Sequence, residues 1–313
     1  MRKQDKEVIA IFLADIHLSM QAPIWRSIEE DWFEAMARPL REIYDLQKKY
    51  DCPVFGAGDI FDRWNSSPEL INFALDYLPD KIYAIPGQHD LPQHNYKDIR
   101  RSAYWTLVKA RKIENIRPKH FIKMGQMIIH GFPYGFPIHP LDKKWEGDKV
   151  PGIHIAIVHE YIWIPGNKYS KALPEQQLTA SMNKKFKGYD VVIFGDNHKG
   201  FYTSYNYPTI FNCGTLMRRK SDEIDYKPQI GLLLNTGEVK SHLLDTSKDK
   251  YLETMNKTST IIDGMSTGEF FRELEKLGDT NLDFIEAIKL YMIAKKVKPE
   301  IKKVILKAIE DSK

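Results

Sequence analysis

Five short apolar runs in this chain break off at residue types able to bind cations, and that repeated ending constrains the fold more than any other feature. "VIAIFLADIH" ends on Asp15 and His17, "VFGAGDIFD" on Asp59 and Asp62, "YAIPGQHD" on Gln88 and His89, "IAIVH" on His159, and "VVIFGDNH" on Asp196 and His198. A strand alternates its side chains, so residues two apart point the same way, and Asp15 with His17, or Asp196 with His198, can converge on one object. A single D-x-H also fits a polar strand end whose Asp caps a turn. Five such endings in order are not explained by packing.

Between these runs lie segments of helical period, and alternation of this kind describes an α/β domain. Helices are expected from about Trp25 to Tyr50, Pro68 to Leu78, Ile99 to Arg111 and Pro174 to Phe186, with strands at "CPVFGAG", "KIYAIPG", "MIIHGF", "IHIAIV" and "YDVVIFGD". Four more strand candidates follow closely, "GFYTSY", "TIFNCG", "QIGLLLN" and "VKSHLL", the last two joined by a turn at Thr236-Gly237. Open α/β sheets bind ligands at the carboxyl ends of their strands, so the cation-binding groups should gather along one edge. Beyond Asp245 the sequence turns Lys-rich and helical, with a capping box from Ser266 to Glu269 and an apolar stripe at Ile301, Val304, Ile305, Ala308 and Ile309. The expected division is a catalytic domain over 1–247 and a helical region over 248–313.

Bulk properties narrow the class. The 313 residues carry a formal charge of +4, too mild a surplus to argue for nucleic acid by itself. Cys52 and Cys213 sit beside strand-like sequence and read as buried free thiols of a reducing compartment. The apolar N-terminal run is short and lacks a cleavage pattern, so the expectation is a cytoplasmic protein without a membrane span.

The ordered motifs "DIH", "GDIFD", "GQHD", the His of "VHEY" and "GDNH" resemble the calcineurin-like metallophosphoesterases, whose pattern runs D-x-H, G-D-x-x-D, G-N-H-D/E, a lone His and G-H-x-H. The match spans roughly residues 8 to 245. Within that superfamily, "DIHLS", "GDIFD", "GQHD" and "FNCGTLMRRKSDE" look most like the SbcD-type nucleases of DNA double-strand-break repair. The resemblance implies two mixed β-sheets flanked by helices, a four-layer sandwich. It implies two divalent ions, one held by Asp15, His17, Asp59 and His198, the other by Asp59, Gln88, His159 and Asp196. Mixed imidazole and carboxylate ligands with an oxygen-rich second position lean towards Mn2+. Such a pair would activate water to attack a phosphodiester, with His89 protonating the leaving oxygen and Asp62 orienting His89. DNA, an SMC-like ABC ATPase of SbcC type and a second copy in a homodimer are the implied partners. Small nucleotides or phosphoproteins are the alternative substrates, and a non-catalytic scaffold is the third reading.

Two positions depart from the family pattern, and both belong to the second ion. Gln88 stands where Asn is usual and Asp196 where His is usual. Gln reaches one methylene further and Asp less far, so the two changes can compensate. Candidate substrate contacts are Arg63 beside Asp62, Arg218 and Arg219 in "LMRRKSDE", and Tyr161 after His159. A solvated loop explains the arginines equally well, and Trp163 is expected to pack on the core. His130, His139 and His154 are expected to pack or face solvent, and the stripe Ile301 to Ile309 either docks a partner or packs on the parent domain.

Overall fold

The runs that end in ligand residues are apolar on both faces, which demands strands covered on both sides. The computed structural model describes residues 7–141, 151–169, 172–179, 182, 184–203, 208–251, 261–262 and 265–266. Strands β1 (Val8–Leu13), β2 (Val54–Ala57), β3 (Ile82–Ile85) and β4 (Ile113–Asn115) are parallel neighbours. Strands β11 (Gln229–Leu234) and β12 (Val239–Leu243) extend that sheet antiparallel, giving the order β12-β11-β1-β2-β3-β4. The second sheet has the order β5-β6-β7-β8-β10-β9, from Phe121–Met124, Met127–Phe132, Ile153–His159, Val191–Gly195, Thr209–Asn212 and Phe201–Thr203 respectively. Its four middle strands are parallel, and its edges are antiparallel hairpin partners.

The two sheets face each other. Phe12, Phe55, Ala57 and Leu233 of the first share one buried cluster with Ile129, Ile155, Ile193 and Phe211 of the second. Helices α1 (Trp32–Tyr50), α2 (Pro68–Tyr77) and α3 (Ala103–Lys109) are the crossovers between β1, β2, β3 and β4. The far face of the second sheet buries Val158, Val192, Phe194 and Ile210 under Ile138, Ile162 and Phe186. This is the expected architecture of two mixed sheets flanked by helices. The Thr236-Gly237 turn also forms, with Gly237 at φ 83° and its N–H donating to the Leu234 carbonyl.

Several boundaries differ from expectation for local reasons. Helix α1 begins at Trp32 because the Asp31 carboxylate accepts the Glu34 N–H, and residues Ile24–Arg26 form a separate 3-10 turn. The expected helix from Ile99 starts as a 3-10 turn at Tyr96–Arg101 and becomes α-helical only after Ser102 caps Trp105. No α-helix forms among the described residues of 174–186. Pro174–Gln176 make a 3-10 turn, the Gln176 amide oxygen accepts the Leu173 N–H, and the Leu178 N–H goes to the Trp163 carbonyl. Strands β4 and β5 carried no clear signal, being short and only partly buried.

The chain divides into two compact units, the first comprising 1–20, 31–218 and 226–248. The second takes in Gln21–Glu30, Arg219–Asp225 and the chain from Asp249. Inside it Arg26, fully buried, pairs with Glu29 and with Asp249 at 3.0 Å. Trp25 stacks on Tyr251, and the Tyr251 hydroxyl donates to the Lys220 carbonyl. Strands β13 (Ile261–Ile262) and β14 (Met265–Ser266) pair antiparallel. The Ser266 to Glu269 capping box, except for Ser266 itself, and the Ile301 to Ile309 stripe lie outside the described residues.

Cys52 and Cys213 are buried free thiols. His130 on β6 is buried, with Nε2 3.4 Å from Nδ1 of His154 on β7 and its ring edge-on to Tyr189. Burial, and then the neighbouring His154, pushes the His130 pKa down to about 4. A base depressed below its unfolded value of 6.5 leaves stability whole above that pH and removes it as pH falls from 6.5 towards 4. His130→Phe should therefore flatten the loss of stability over that interval by about 2 to 3 kcal/mol. Urea unfolding at pH 7 and pH 4.5 on both proteins is the check, and parallel losses would refute it.

Candidate metal centre

Each ligand-type side chain sits just past the carboxyl end of a strand, and both sheets contribute. Asp15 and His17 follow β1, Asp59 follows β2, Gln88 and His89 follow β3, His159 ends β7, and Asp196 and His198 follow β8. The chain must turn sharply to aim them. Asp15, His17, Asp59 and Asp196 hold φ values of 50°, 49°, 54° and 77°, a left-handed conformation that few side chains adopt. Main-chain bonds lock these turns: the Asp15 N–H donates to the Gly58 carbonyl and the His17 N–H to the Asp59 carbonyl, both at 3.0 Å.

Close approach explains the glycines in the motifs. A Cβ at Gly87 would lie 2.1 Å from the Asp59 carboxylate, and one at Gly58, where φ is +97°, 2.2 Å from His159 Nδ1. Only hydrogen fits at either place.

The side chains then converge. His17 Nε2 lies 3.1 Å from His198 Nε2, 3.9 Å from Asp15 Oδ1 and 3.7 Å from Asp59 Oδ2. His159 Nε2 lies 3.4 Å from Asp59 Oδ2 and 2.6 Å from Gln88 Oε1, and Gln88 Nε2 donates to Asp196 Oδ1 at 2.8 Å. Three overlapping triads, Asp15-His17-His198, His17-Asp59-His89 and Asp15-Asp59-His159, each keep their ligand atoms within 4.8 Å. The Asp196 N–H donates to the Asp15 carboxylate, tying β8's loop to β1's.

Outer contacts set the imidazole tautomers. His159 Nδ1 donates to the Ala57 carbonyl at 2.5 Å, which turns Nε2 inward. His17 Nδ1 lies 3.5 Å from Asp62 Oδ1, so its Nε2 also faces the cluster. His89 Nδ1 bonds the main-chain carbonyl of Asp62 at 2.8 Å, so the contact between these two residues runs through the backbone while the Asp62 carboxylate faces His17.

The electrostatics describe a pocket short of positive charge. Burial pushes the Asp15 carboxyl up to about 7, against the pull of His159 and His198. Burial acts the same way on Asp59, but His159, His89 and His17 outweigh it and hold that carboxylate below its usual range. Burial would discharge His159, yet Asp59 and then Asp196 and Asp15 keep it charged well above its ordinary pKa. Asp59 Oδ2 is buried with no hydrogen bond, and imidazole nitrogens face other ligand atoms at 2.6 and 3.1 Å. Such a gathering of imidazole nitrogens and buried carboxylates fits divalent cations.

Three residues left out of the sequence reading hold this centre in place. Asp90, fully buried, accepts the N–H groups of Ile60, Phe61 and Gly87 at 3.2, 3.1 and 3.0 Å, binding the Asp59 loop to the His89 loop. Asn197 donates to the carbonyls of Ile162 and Asn167, joining the loops after His159 and Asp196. The Thr215 hydroxyl contacts the Asp15 and Met217 carbonyls. As Asp and Asn also suit turns, only the position of Asp90 directly after "GQH" hinted at more.

The proposed substrate contacts are less gathered. Arg63 is exposed, and Arg218 is half-buried. The Arg219 N–H is bound by Glu223 within the second compact unit. The Tyr161 hydroxyl accepts the Tyr169 N–H at 2.8 Å. Trp163 is buried, its indole N–H donating to the Leu173 carbonyl.

The sequence pattern of calcineurin-like phosphoesterases matches residues 10–200. The chain belongs to that family. No curated protein sequence matches it. Solved structures with similarity include a Staphylococcus aureus protein described as a 5'-nucleotidase, at 12% identity and a TM-score of 0.46, covering 75% of this chain and 53% of that one. Calcineurin-like phosphoesterase YfkN from Bacillus subtilis shows 14% identity and a TM-score of 0.45, covering 77% of this chain and 92% of its own. The phosphopantetheinyl hydrolase PptH from Mycobacterium tuberculosis shows 12% identity and a TM-score of 0.42, over 77% and 98%. This family member thus spans about half the length of the S. aureus protein. Among its described residues no helix is long and apolar enough to cross a membrane.

Asp90→Asn puts an NH2 group against at least one main-chain N–H and should cost about 2 to 3 kcal/mol of stability. Urea unfolding measures this, and an unchanged midpoint would mean the carboxylate does not clamp the loops.

Proposed function

We propose that this chain is a phosphoesterase dependent on two divalent cations, acting on a small phosphoester such as a nucleotide or a phosphorylated protein side chain. The observation that supports it is the convergence of Asp15, His17, Asp59, Gln88, His159, Asp196 and His198 at the strand ends of both sheets. Asp15, His17, Asp59 and His198 would hold one ion, and Asp59, Gln88, His159 and Asp196 the other. When bound, such ions polarise a phosphoryl group and lower the pKa of water; manganese suits the mixed ligand set.

The chain's own residues do the rest. His89 keeps Nδ1–H on the Asp62 carbonyl, leaving Nε2 to carry the proton that a leaving oxygen needs. Asp62 thereby acts as a positioning residue through its backbone and steadies His17 through its carboxylate. Arg63, Arg218, Arg219 and Tyr161 are the candidate contacts to the rest of the substrate.

A second reading, an SbcD-like DNA nuclease working as a homodimer with an SMC-like ATPase in the cytoplasm, is favoured by the run "FNCGTLMRRKSDE". In that reading residues 248–313 form a helical region that docks the ATPase.

Hydrolysis of p-nitrophenyl phosphate, a monoester, and of end-labelled DNA, a diester, each with manganese, separates the readings. The generic ester should be cleaved, chelation should abolish turnover, and His89→Ala should lower kcat by about 100-fold to 10,000-fold. Cleavage of DNA with a much higher kcat/KM would favour the nuclease. A protein that binds no manganese and cleaves neither would be a scaffold.

A further inference from the structure

Strand β6 runs parallel to β7, so its carboxyl end lies on the same rim as His159, and the run that follows it, Pro133-Tyr134-Gly135-Phe136, is rich in rings. The Tyr134 N–H donates to the Pro86 carbonyl at 3.2 Å, which seats this loop against the turn that carries Gln88 and His89. His94 folds back onto the same turn. Its Nδ1–H donates to the Gln88 carbonyl at 3.0 Å, and its ring stands 6.1 Å from that of Tyr134, inclined by 57°.

The pair is held with some force. Gln93 and His94 take consecutive left-handed φ values of 50° and 57°, a conformation few side chains adopt, and this bend carries the imidazole back over Gln88. Strain of that kind lasts only where the surroundings enforce it, and it gathers at ligand sites. Next to Tyr134, Phe136 packs edge-on against Tyr96 at 5.1 Å; the Tyr96 hydroxyl accepts from the Asn115 amide of β4 at 3.4 Å, and Asn115 accepts from the Tyr104 hydroxyl at 2.9 Å. Yet His94 is exposed and Tyr134 only half-buried. Two rings anchored to one turn and left within reach of solvent offer a π-face to a ligand.

Their distance from the centre says which ligand. The Gln88–His89 peptide is pinned at both ends, its N–H by Asp59 Oδ1 at 2.9 Å and its C=O by His94. The two groups of a trans peptide point in opposite directions, so the imidazole stands up to about 8 Å from the Asp59 carboxylate. A ring bonded straight to the leaving oxygen, as in an aryl phosphate, stays close to the phosphoryl group. A nucleobase, held off by its sugar, reaches further.

We propose that His94 and Tyr134 form a stacking wall for the base of a mononucleotide whose phosphate lies among the strand-end ligands. This rests on the phosphoesterase reading above and names its substrate class.

The test is kcat/KM of the manganese-loaded full-length protein on adenosine 5'-monophosphate and on ribose 5-phosphate, which share the phosphoester and differ by the base. The ratio should favour the nucleotide by about 5-fold to 150-fold, the range that stacking of one base supplies. Tyr134→Ala and His94→Asn should each lower that ratio at least about fivefold, and Tyr134→Phe, which keeps the ring, should hold it. Asn retains an N–H donor for the Gln88 carbonyl and suits left-handed backbone, so a fall in His94→Asn reads the loss of the ring. Binding of adenosine, followed by equilibrium dialysis, should weaken in the same two variants. A wild-type protein without preference, or an unchanged ratio in both ring-removing variants, would overturn the wall and leave the phosphoesterase reading standing. An equal fall for p-nitrophenyl phosphate would assign the rings to aryl esters and overturn the nucleotide. A single-stranded oligonucleotide cleaved with a higher kcat/KM than the mononucleotide, and losing as much in Tyr134→Ala, would give the wall to DNA instead. Hydrolysis of neither monoester would remove both readings. Should Tyr134→Ala not fold, His94→Asn carries the comparison.

Discussion

Asp59 is the point on which the centre turns. One carboxylate oxygen accepts the His89 N–H at 2.9 Å, and the other faces His17 and His159 at 3.7 and 3.4 Å. It sits on a β2 turn in left-handed backbone, completely buried, with room left for it only because Gly87 has no side chain. A buried carboxylate without compensating positive charge is strongly unfavourable. The facing imidazoles answer that cost in the protein alone, and divalent ions answer it better. Through this one side chain the first sheet's loops and β7 of the second sheet share an electrostatic problem that neither could solve separately.

The sandwich provides the frame. Parallel strands direct their carboxyl ends to one rim, and the packing of Phe12 and Phe55 against Ile155, Ile193 and Phe211 brings two such rims into register. Asp90 then fixes the spacing of the Asp59 and His89 loops by three hydrogen bonds, and Asn197 does the same for the loops after β7 and β8. Precision in the centre comes from these buried polar clamps, since loops alone would leave the ligands loosely placed.

Much of this was legible from residues alone. The strands that lead into ligands were readable because both faces are buried, which produces continuous apolar runs such as "VVIFG". The ligand-type residues that meet at the strand ends were readable because polar groups seldom end such runs by chance. Less visible were β4 and β5, whose partial burial leaves no pattern, and the segment from Pro174, where helical spacing was overridden by bonds to Leu173 and Trp163. The Asp90 clamp was hidden because a turn aspartate and a buried aspartate look alike in one dimension. Contact between Gln88 and Asp196, 108 residues apart, could not be read from either motif by itself.

The left-handed turns at Asp15, His17, Asp59 and Asp196 carry a further implication. Each holds an ordinary side chain where glycine would sit more comfortably, at about 1 to 2 kcal/mol apiece. Replacing any of them with glycine would relax the main chain and delete a ligand in the same stroke. At these four positions backbone comfort and the chemistry of the centre pull in opposite directions, so glycine swaps made to relax the main chain would strip the side chains that the centre is built from.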